Sequence, residues 1–451
     1  MIKQVIKRTG AVVPFTKERI INAIYRAAVA VGGRDRATAE RLADQVVAEL
    51  EAHPDPQYIP TVEEIQDVVE RTLIRAGHAR TAKAYILYRE ERALRRQQQA
   101  RQAARVHDNI PWKKLWEALD WAVSHRLHTV EQLNARIARG EFAEIVRECD
   151  HAYHDDITCA AELIRERREG AQQRQVRIII VAGPSSSGKT TTTIKLSHLL
   201  GKAGLSLVPL SVDHYFYDLD KHPKDEFGDY DYETPQALDL ALINEHLFRL
   251  LAGEEVRIPF YDFATGRRHD EHSPMRLAPH ELILIDSLHG LYPPMTGDID
   301  GEQKFAIYIE PLLQMKGPDD AYIRWTDLRL MRRMVRDAAF RHYAPQQTLE
   351  HWHYVRTSEL RNIIPYANTA DYVVNSALPY ELPVMKRRLF EPFADWCEAY
   401  RDDPLRIDAC QRAERVHRLL DAVIDIDADQ EAAIPPDSLL REFIGGSCYA
   451  Y

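Results

Sequence analysis

The chain has 451 residues, 45% of them hydrophobic and 28% charged, with a formal net charge of −10. This is the composition of a soluble globular protein; the length points to two or three domains, and the acidic balance argues against broad nucleic-acid binding. No apolar run approaches the roughly twenty residues of a membrane helix, the N-terminal MIKQVIKRTG lacks a signal-peptide core, and five scattered cysteines without a CxxC pair argue for reduced thiols in the cytoplasm.

Residues 1–95 read as one unit. An apolar–basic strand and turn, Val5–Gly10, precedes a second short strand, Ala11–Phe15. A helix from Thr16 to about Val31 follows, with Thr16 as N-cap and Ile20, Ile21, Ile24 and Ala27 as its apolar stripe. A second helix spans about Ala37–Ala52, and Thr61 with Glu64 makes a capping box for a third, Val62–Ala76. Gly77 stops that helix and a fourth, Thr81–Arg96, follows. Residues 1–100 hold 17 basic and 13 acidic side chains, so the acid excess lies beyond them.

This unit resembles the ATP-cone, a nucleotide-sensing module of ribonucleotide reductases. The likeness rests on Val5-Ile-Lys-Arg-Thr-Gly10, Val13-Pro-Phe15, Lys17-Glu-Arg-Ile20, Thr61-Val-Glu-Glu-Ile65 and Ala82-Lys-Ala-Tyr85-Ile-Leu-Tyr88-Arg89. It implies a second, allosteric ATP site in which Lys7, Arg8 and Arg19 meet the nucleotide. Residues 96–175 read as a polar helical linker, in which RRQQQARQAAR is a solvated connector and Trp112, Trp116 and Trp121, near helical spacing, are core.

The densest signal is VRIIIVAGPSSSGKT, Val176–Thr190. A β-rich apolar run breaks at Gly183, and Gly183-Pro-Ser-Ser-Ser-Gly-Lys-Thr190 then satisfies the phosphate-loop spacing of strand, loop and helix. Gly183 and Gly188 permit a tight turn whose N–H groups face phosphate oxygens, and Pro184, Ser185, Ser186 and Ser187 form its span. Lys189 supplies a point charge, Thr190 a Mg²⁺ ligand, and the helix carrying Thr191 its positive end. The strands Arg177–Ala182, Ser206–Val212, Leu282–Ile285 and Phe305–Ile309 alternate with helical patterns, which predicts a doubly wound parallel sheet.

Two carboxylates end strands beside that loop. Asp213, in Ser211-Val-Asp-His-Tyr-Phe-Tyr217, is placed to accept a proton from an attacking hydroxyl. Asp286, ending Leu282-Ile-Leu-Ile285, is placed to hold Mg²⁺ opposite Thr190. In Asp327–Arg341, Arg329, Arg332, Arg333 and Arg336 recur at three- and four-residue spacing on one helical face, which reads as a lid that neutralises transition-state charge. Three functions remain open at this point: a small-molecule kinase, a slow-hydrolysing nucleotide switch, and a nucleic-acid-dependent ATPase. The pair of base and lid arginines favours the first, because a switch needs no base aimed at an acceptor.

Together these pieces resemble the uridine kinase and phosphoribulokinase group of phosphate-loop kinases. The motifs are Gly183–Thr191, Ser211–Phe216, Tyr232-Glu-Thr-Pro235-Gln-Ala-Leu-Asp239, Pro259-Phe-Tyr-Asp-Phe263, Asp286-Ser-Leu-His and Arg332-Arg-Met-Val-Arg-Asp337. The resemblance implies an α/β phosphate-loop kinase domain over residues 176–395, followed by a helical tail, 396–451, whose Arg441-Glu-Phe-Ile-Gly-Gly-Ser447 has no assigned role. It implies Asp213 as base, Lys189, Arg336 and Arg341 as catalytic cations, and Thr190 with Asp286 as metal ligands. Glu233, Tyr261 and Arg268 would face the acceptor, ATP would be the co-substrate with Mg²⁺, and a homo-oligomer stays open. The chain departs from uridine kinases at Asp286-Ser287, at Glu233 and at Gly266, which falls where they carry a base-reading histidine. Uridine as the acceptor therefore does not follow.

Overall fold

The computed structural model describes residues 2–6, 12–33, 35–54, 58–87, 110–169, 176–223, 234–263, 265–401, 403 and 406–450. The chain forms two compact units, Met1–His107 and Asp108–Tyr451.

In the smaller unit, β1 (Gln4–Ile6) and β2 (Val12–Pro14) pair antiparallel. The helices α1 (Lys17–Ala30), α2 (Arg36–Glu51), α3 (Val62–Arg75) and α4 (79–87) follow. The apolar stripe Ile20, Ile21, Ile24 and Ala27 is buried against Leu42, Val46, Val69 and Leu73. Thr61 and Glu64 close a complete capping box on α3. Thr16 stands at the N-cap of α1 without a side-chain bond, whereas Asp35 caps α2 by accepting from the Thr38 N–H at 3.1 Å.

The larger unit opens with α5 (Trp112–Ser124), α6 (Val130–Ala138) and the 28-residue α7 (Phe142–Glu169). The sheet and its helices follow in the order β3 (Ile178–Ala182), α8 (Lys189–Lys202), β4 (Ser206–Ser211), α9 (Leu240–Leu251), β5 (Glu255–Asp262), β6 (Arg267–Arg276), β7 (Glu281–Ser287) and β8 (Lys304–Glu310). Then come α10 (Trp325–Phe340), α11 (Pro345–Asn362), β9 (Tyr372–Asn375), α12 (Glu381–Tyr400), α13 (Ile407–Ala422), α14 (Ala428–Ala432) and α15 (Arg441–Ile444). Five parallel strands lie in the order β4-β7-β3-β8-β9. The central β3 is buried along its whole length, so both faces must be apolar, as its sequence IIIVA is. Pro209 is tolerated in β4 because that strand is an edge.

Four features differ from the sequence reading. An antiparallel hairpin, β5–β6, projects from the α/β order; β6, RRHDEHSPMR, is mostly exposed and carries no alternation to reveal it. The segment read as a linker is not one within residues 110–169: Leu127, Val130, Leu133, Phe142, Ile145 and Tyr153 share a core with Ile179, Val181, Leu284 and Ile307 of the sheet. The segment read as a tail joins the same core through Leu419, Leu439, Leu440 and Phe443. Trp112 and Trp116 are 61% and 68% exposed, and only Trp121 packs against the core, stacked on His125.

The arginine face of α10 is sorted by depth. Arg329 and Arg332 are wholly buried: Arg329 pairs with Glu359, while Arg332 donates to Glu381 at 2.6 and 2.9 Å and to the Ser376 carbonyl at 2.7 Å. These two are fasteners between helices rather than lid groups. Removing one partner strands a charge out of water, so Glu381→Ala should cost about 3–5 kcal/mol of stability. Chemical denaturation of the full chain measures it, and a loss below about 1 kcal/mol, the size of a surface pair, would contradict the burial argument.

Candidate active site

The phosphate loop is held by what surrounds it. A Cβ at Gly183 would lie 2.3 Å from the Ile309 carbonyl oxygen, so only glycine lets β3 turn away beside β8. Gly188 has φ +93° and Ser186 φ +60°, the left-handed bends that curl the loop around a central hollow. The buried hydroxyls of Ser186 and Ser187 have no hydrogen-bond partner among the described residues. Lys189 folds back over the loop and donates to the Pro184 carbonyl at 3.2 Å. Its ammonium is partly buried, and desolvation pulls its pKa down against the opposing pull of Asp286 and Glu442.

Strand register brings the two aspartates to that lysine. Asp286 pairs in register with Val181 of β3 and Ser211 of β4, at the carboxyl ends of three neighbouring strands. Asp213 follows β4 in a one-turn 3-10 segment that Tyr215 pins to α9 through a 2.9 Å bond to His246. Burial raises both carboxyls, Asp286 to about 6, while Lys189 counteracts the rise in each case. The Thr190 hydroxyl is close enough to Asp286 to favour its ionised form. A hydroxyl and a carboxylate, both oxygen donors, fit Mg²⁺, which takes few protein ligands and completes its shell with water and substrate phosphate. No group of three or more His, Cys, Asp or Glu capable of holding a metal occurs among the described residues.

Of the arginines, Arg333 reaches the Ser185 hydroxyl at 3.2 Å, and Arg336 and Arg341 gather with it on Asp337 at 2.8 and 3.7 Å. Arg341 is also close enough to Asp213 to favour its ionised form. The guanidinium of the buried Arg329 touches the loop too, donating to the Ser185 carbonyl at 3.1 Å. Spacing alone revealed neither Arg329's nor Arg333's tie to the loop.

On the acceptor side, Tyr261 is buried in an aromatic cluster, with ring centroids 5.5 Å from Phe216 and 4.9 Å from Phe263. Arg268, its register partner on β6, is committed to Asp239 at 3.0 Å and Asp270 at 2.8 Å, with its backbone N–H on Asp218. Arg268 thus clamps the loop after Asp213 onto the hairpin, and that differs from the acceptor contact expected of it. Gly266 is a turn residue at φ +66°, packed on Leu219 so closely that a Cβ would lie 2.9 Å from it. No side chain fits at that position. Glu233, Lys7 and Arg8 lie outside the described residues; Arg19 is exposed in the first turn of α1.

The sequence reading missed Glu442. Its carboxylate accepts both the Thr191 backbone N–H, at 3.1 Å, and the Thr191 hydroxyl, at 2.7 Å. Leu439 lies under Gly188, where a Cβ would meet its Cδ1 at 2.5 Å. The pairing joins residues 251 positions apart, and the only hint was the unassigned Arg441–Ser447 motif.

Comparison with known proteins finds two matching regions. Residues 178–381 match the phosphoribulokinase / uridine kinase family and residues 3–94 the ATP cone domain. A uridine kinase of Deinococcus deserti is 29% identical over 198 residues, 44% of this chain and 86% of its own. A vitamin B12-dependent ribonucleoside-diphosphate reductase of Thermoplasma acidophilum is 50% identical over 97 residues, 20% of this chain and 12% of its own. Among solved structures, D-glycerate 3-kinase of Cryptococcus neoformans aligns over 62% of this chain and 90% of its own, at 14% identity and a TM-score of 0.28. No described helix is long and apolar enough to cross a membrane.

A carboxyl raised by burial weakens the fold wherever it is ionised. Asp286 binds its proton more tightly folded than unfolded, so its unfavourable contribution is absent below pH 4 and grows as pH rises through 6. Without nucleotide or metal, Asp286→Asn should raise stability at pH 7.5 by roughly 2–3 kcal/mol, because each tenfold gain in proton affinity on folding is worth about 1.4 kcal/mol. Denaturation at pH 5 and 7.5 should show the larger gain at the higher pH. A variant less stable than the parent at both would contradict it. The chain thus carries, in order, a region similar to the ATP cone domain and a region similar to the phosphoribulokinase / uridine kinase family.

Proposed function

We propose that the larger unit is a kinase that transfers the γ-phosphoryl group of ATP to a hydroxyl of a small acceptor, a nucleoside or another ribose- or polyol-bearing molecule. The observation that carries this reading is the convergence of Asp213, Lys189, Thr190 and Asp286 at the ends of three adjacent parallel strands. Phosphoryl transfer is mostly positioning and charge stabilisation. The loop amides and Lys189 hold the phosphates, and Asp213 takes the proton from the attacking hydroxyl. Its raised pKa makes it a better base than an ordinary aspartate, and activity should fall on the acid side at a higher pH than an unperturbed carboxylate would give. Arg333, Arg336 and Arg341, preassembled on Asp337, face the equatorial oxygens. Thr190 and Asp286 would hold Mg²⁺, which supplies charge neutralisation between the outer phosphates.

The Phe216–Tyr261–Phe263 cluster is read as a wall of the acceptor site, and Glu233, outside the described residues, is expected from the family resemblance to supply a carboxylate for a diol. The side-chain-free turn at Gly266 supports weak reading of the base. Specificity constants for uridine and cytidine should fall within about tenfold of each other, a gap of 1.4 kcal/mol. A preference above a thousandfold would assign base reading to another residue. Turnover of neither, with turnover of a sugar or sugar acid, would keep the kinase and change its acceptor.

The decisive test of the chemistry is Asp213→Asn, which should leave ATP affinity nearly intact and lower turnover by about two to four orders of magnitude. Near-normal acceptor-dependent turnover would overturn the assignment. For the smaller unit, the reading is a regulatory nucleotide site built around Lys7, Arg8 and Arg19. Calorimetry should then find two ATP equivalents per chain, one of them lost when Lys7 and Arg8 become alanine, and a single site in the parent would exclude it.

A further inference from the structure

The first turn of a phosphate-loop helix presents free N–H groups that bind the nucleotide's phosphates. At Thr191 that donor is already taken. A single oxygen of Glu442 accepts both the Thr191 N–H and its hydroxyl, the two bonds a phosphate oxygen would accept there. The carboxylate is 7% exposed and lies within electrostatic reach of Lys189 and Arg336, the cations that would meet the phosphates.

The segment delivering it is built in rather than draped. Leu439, Leu440 and Phe443 are fully buried, and the Arg332 guanidinium lies over the Phe443 ring at 5.2 Å. Tyr380 bonds the Ser438 hydroxyl at 2.7 Å and Asp150 at 2.8 Å, while Arg441 donates to the Ile434 carbonyl at 2.6 Å. The backbone around Glu442 is therefore fixed on three sides, and only its side chain is free to exchange partners.

From this we infer that Glu442 is an intramolecular stand-in for a nucleotide phosphate, which ATP must displace from Thr191, so that this residue sets the affinity of the loop for nucleotide. The inference rests on the reading of Gly183–Thr191 as the ATP site and is independent of which acceptor is phosphorylated. Physically, the negative carboxylate satisfies the helix end in the empty protein, and two anions cannot share one donor pair. Each nucleotide bound therefore costs the release of the Glu442–Thr191 bonds and the parting of two like charges.

The test is calorimetric titration of the full chain with Mg-ATP, without acceptor, in the parent, Glu442→Gln and Glu442→Ala, with Lys189→Ala identifying which heats belong to the loop. Both Glu442 variants should bind ATP at the Lys189-dependent site at least tenfold more tightly, a change of 1.4 kcal/mol. Thermal unfolding gives the second readout. Glu442→Ala should melt below the parent without nucleotide and level with it at saturating Mg-ATP, since the lost bonds exist only in the empty state. Unchanged or weaker affinity, or an equal melting deficit in both states, would overturn the inference and make Glu442 a structural brace. If neither parent nor variants show a Lys189-dependent site, the ATP-site reading itself fails and takes the inference with it. Binding without turnover on any acceptor would leave the inference standing and remove only the kinase.

Discussion

Lys189, Asp213 and Asp286 crowd together at the carboxyl ends of β3, β4 and β7, with Lys189 and Asp286 half-buried and Asp213 at the exposed rim. Desolvation pushes each toward its neutral form, Lys189 pulls both carboxyls the other way, and the two aspartates repel each other. That balance organises the neighbourhood. The positive end of α8 adds to it, the arginines of α10 are tethered to Asp337 rather than left to stray, and Glu442 supplies a further negative charge.

Much of what is local in this arrangement was legible in the sequence. Gly183–Thr191 fixed the turn because glycine positions and a following helix leave little choice, and the apolar runs before Asp213 and Asp286 announced strands ending in carboxylates. Thr61 and Glu64 identified a helix start because both bonds of the capping box lie within four residues. What failed was mostly long-range. Periodicity put four arginines of α10 on one face, but depth depends on Glu359 and Glu381, which lie 30 and 49 positions away. Trp112 and Trp116 follow helical spacing yet face outward, since spacing says which residues share a face and not what that face meets. The strand β9 has four residues and β6 is polar almost throughout, so neither gives a pattern to read.

The hairpin and the loop after Asp213 are held together by one residue. Arg268 is spent on Asp239 and Asp270, and Asp239 itself caps α9 by accepting from the Leu242 N–H at 3.1 Å. The Asp239 N–H in turn donates to the carbonyl of Tyr215, two residues from Asp213. The segment after β4, the hairpin and the α9 cap form one hydrogen-bonded chain, and the Tyr261 cluster rides on it.

The contact of Leu439 with Gly188 has a consequence for how the protein is made. The phosphate loop is synthesised early, but the residues that back it follow about 250 positions later, and the core they complete also includes α5–α7 from before the sheet. Closing that distance before any reward is gained slows folding, the more so the greater the separation. During synthesis the smaller unit can reach its final state while the larger one waits, its central strands paired but one flank bare. A ribosome stalled before residue 439 would therefore hold a chain whose nucleotide loop lacks its floor, a state for chaperones to guard.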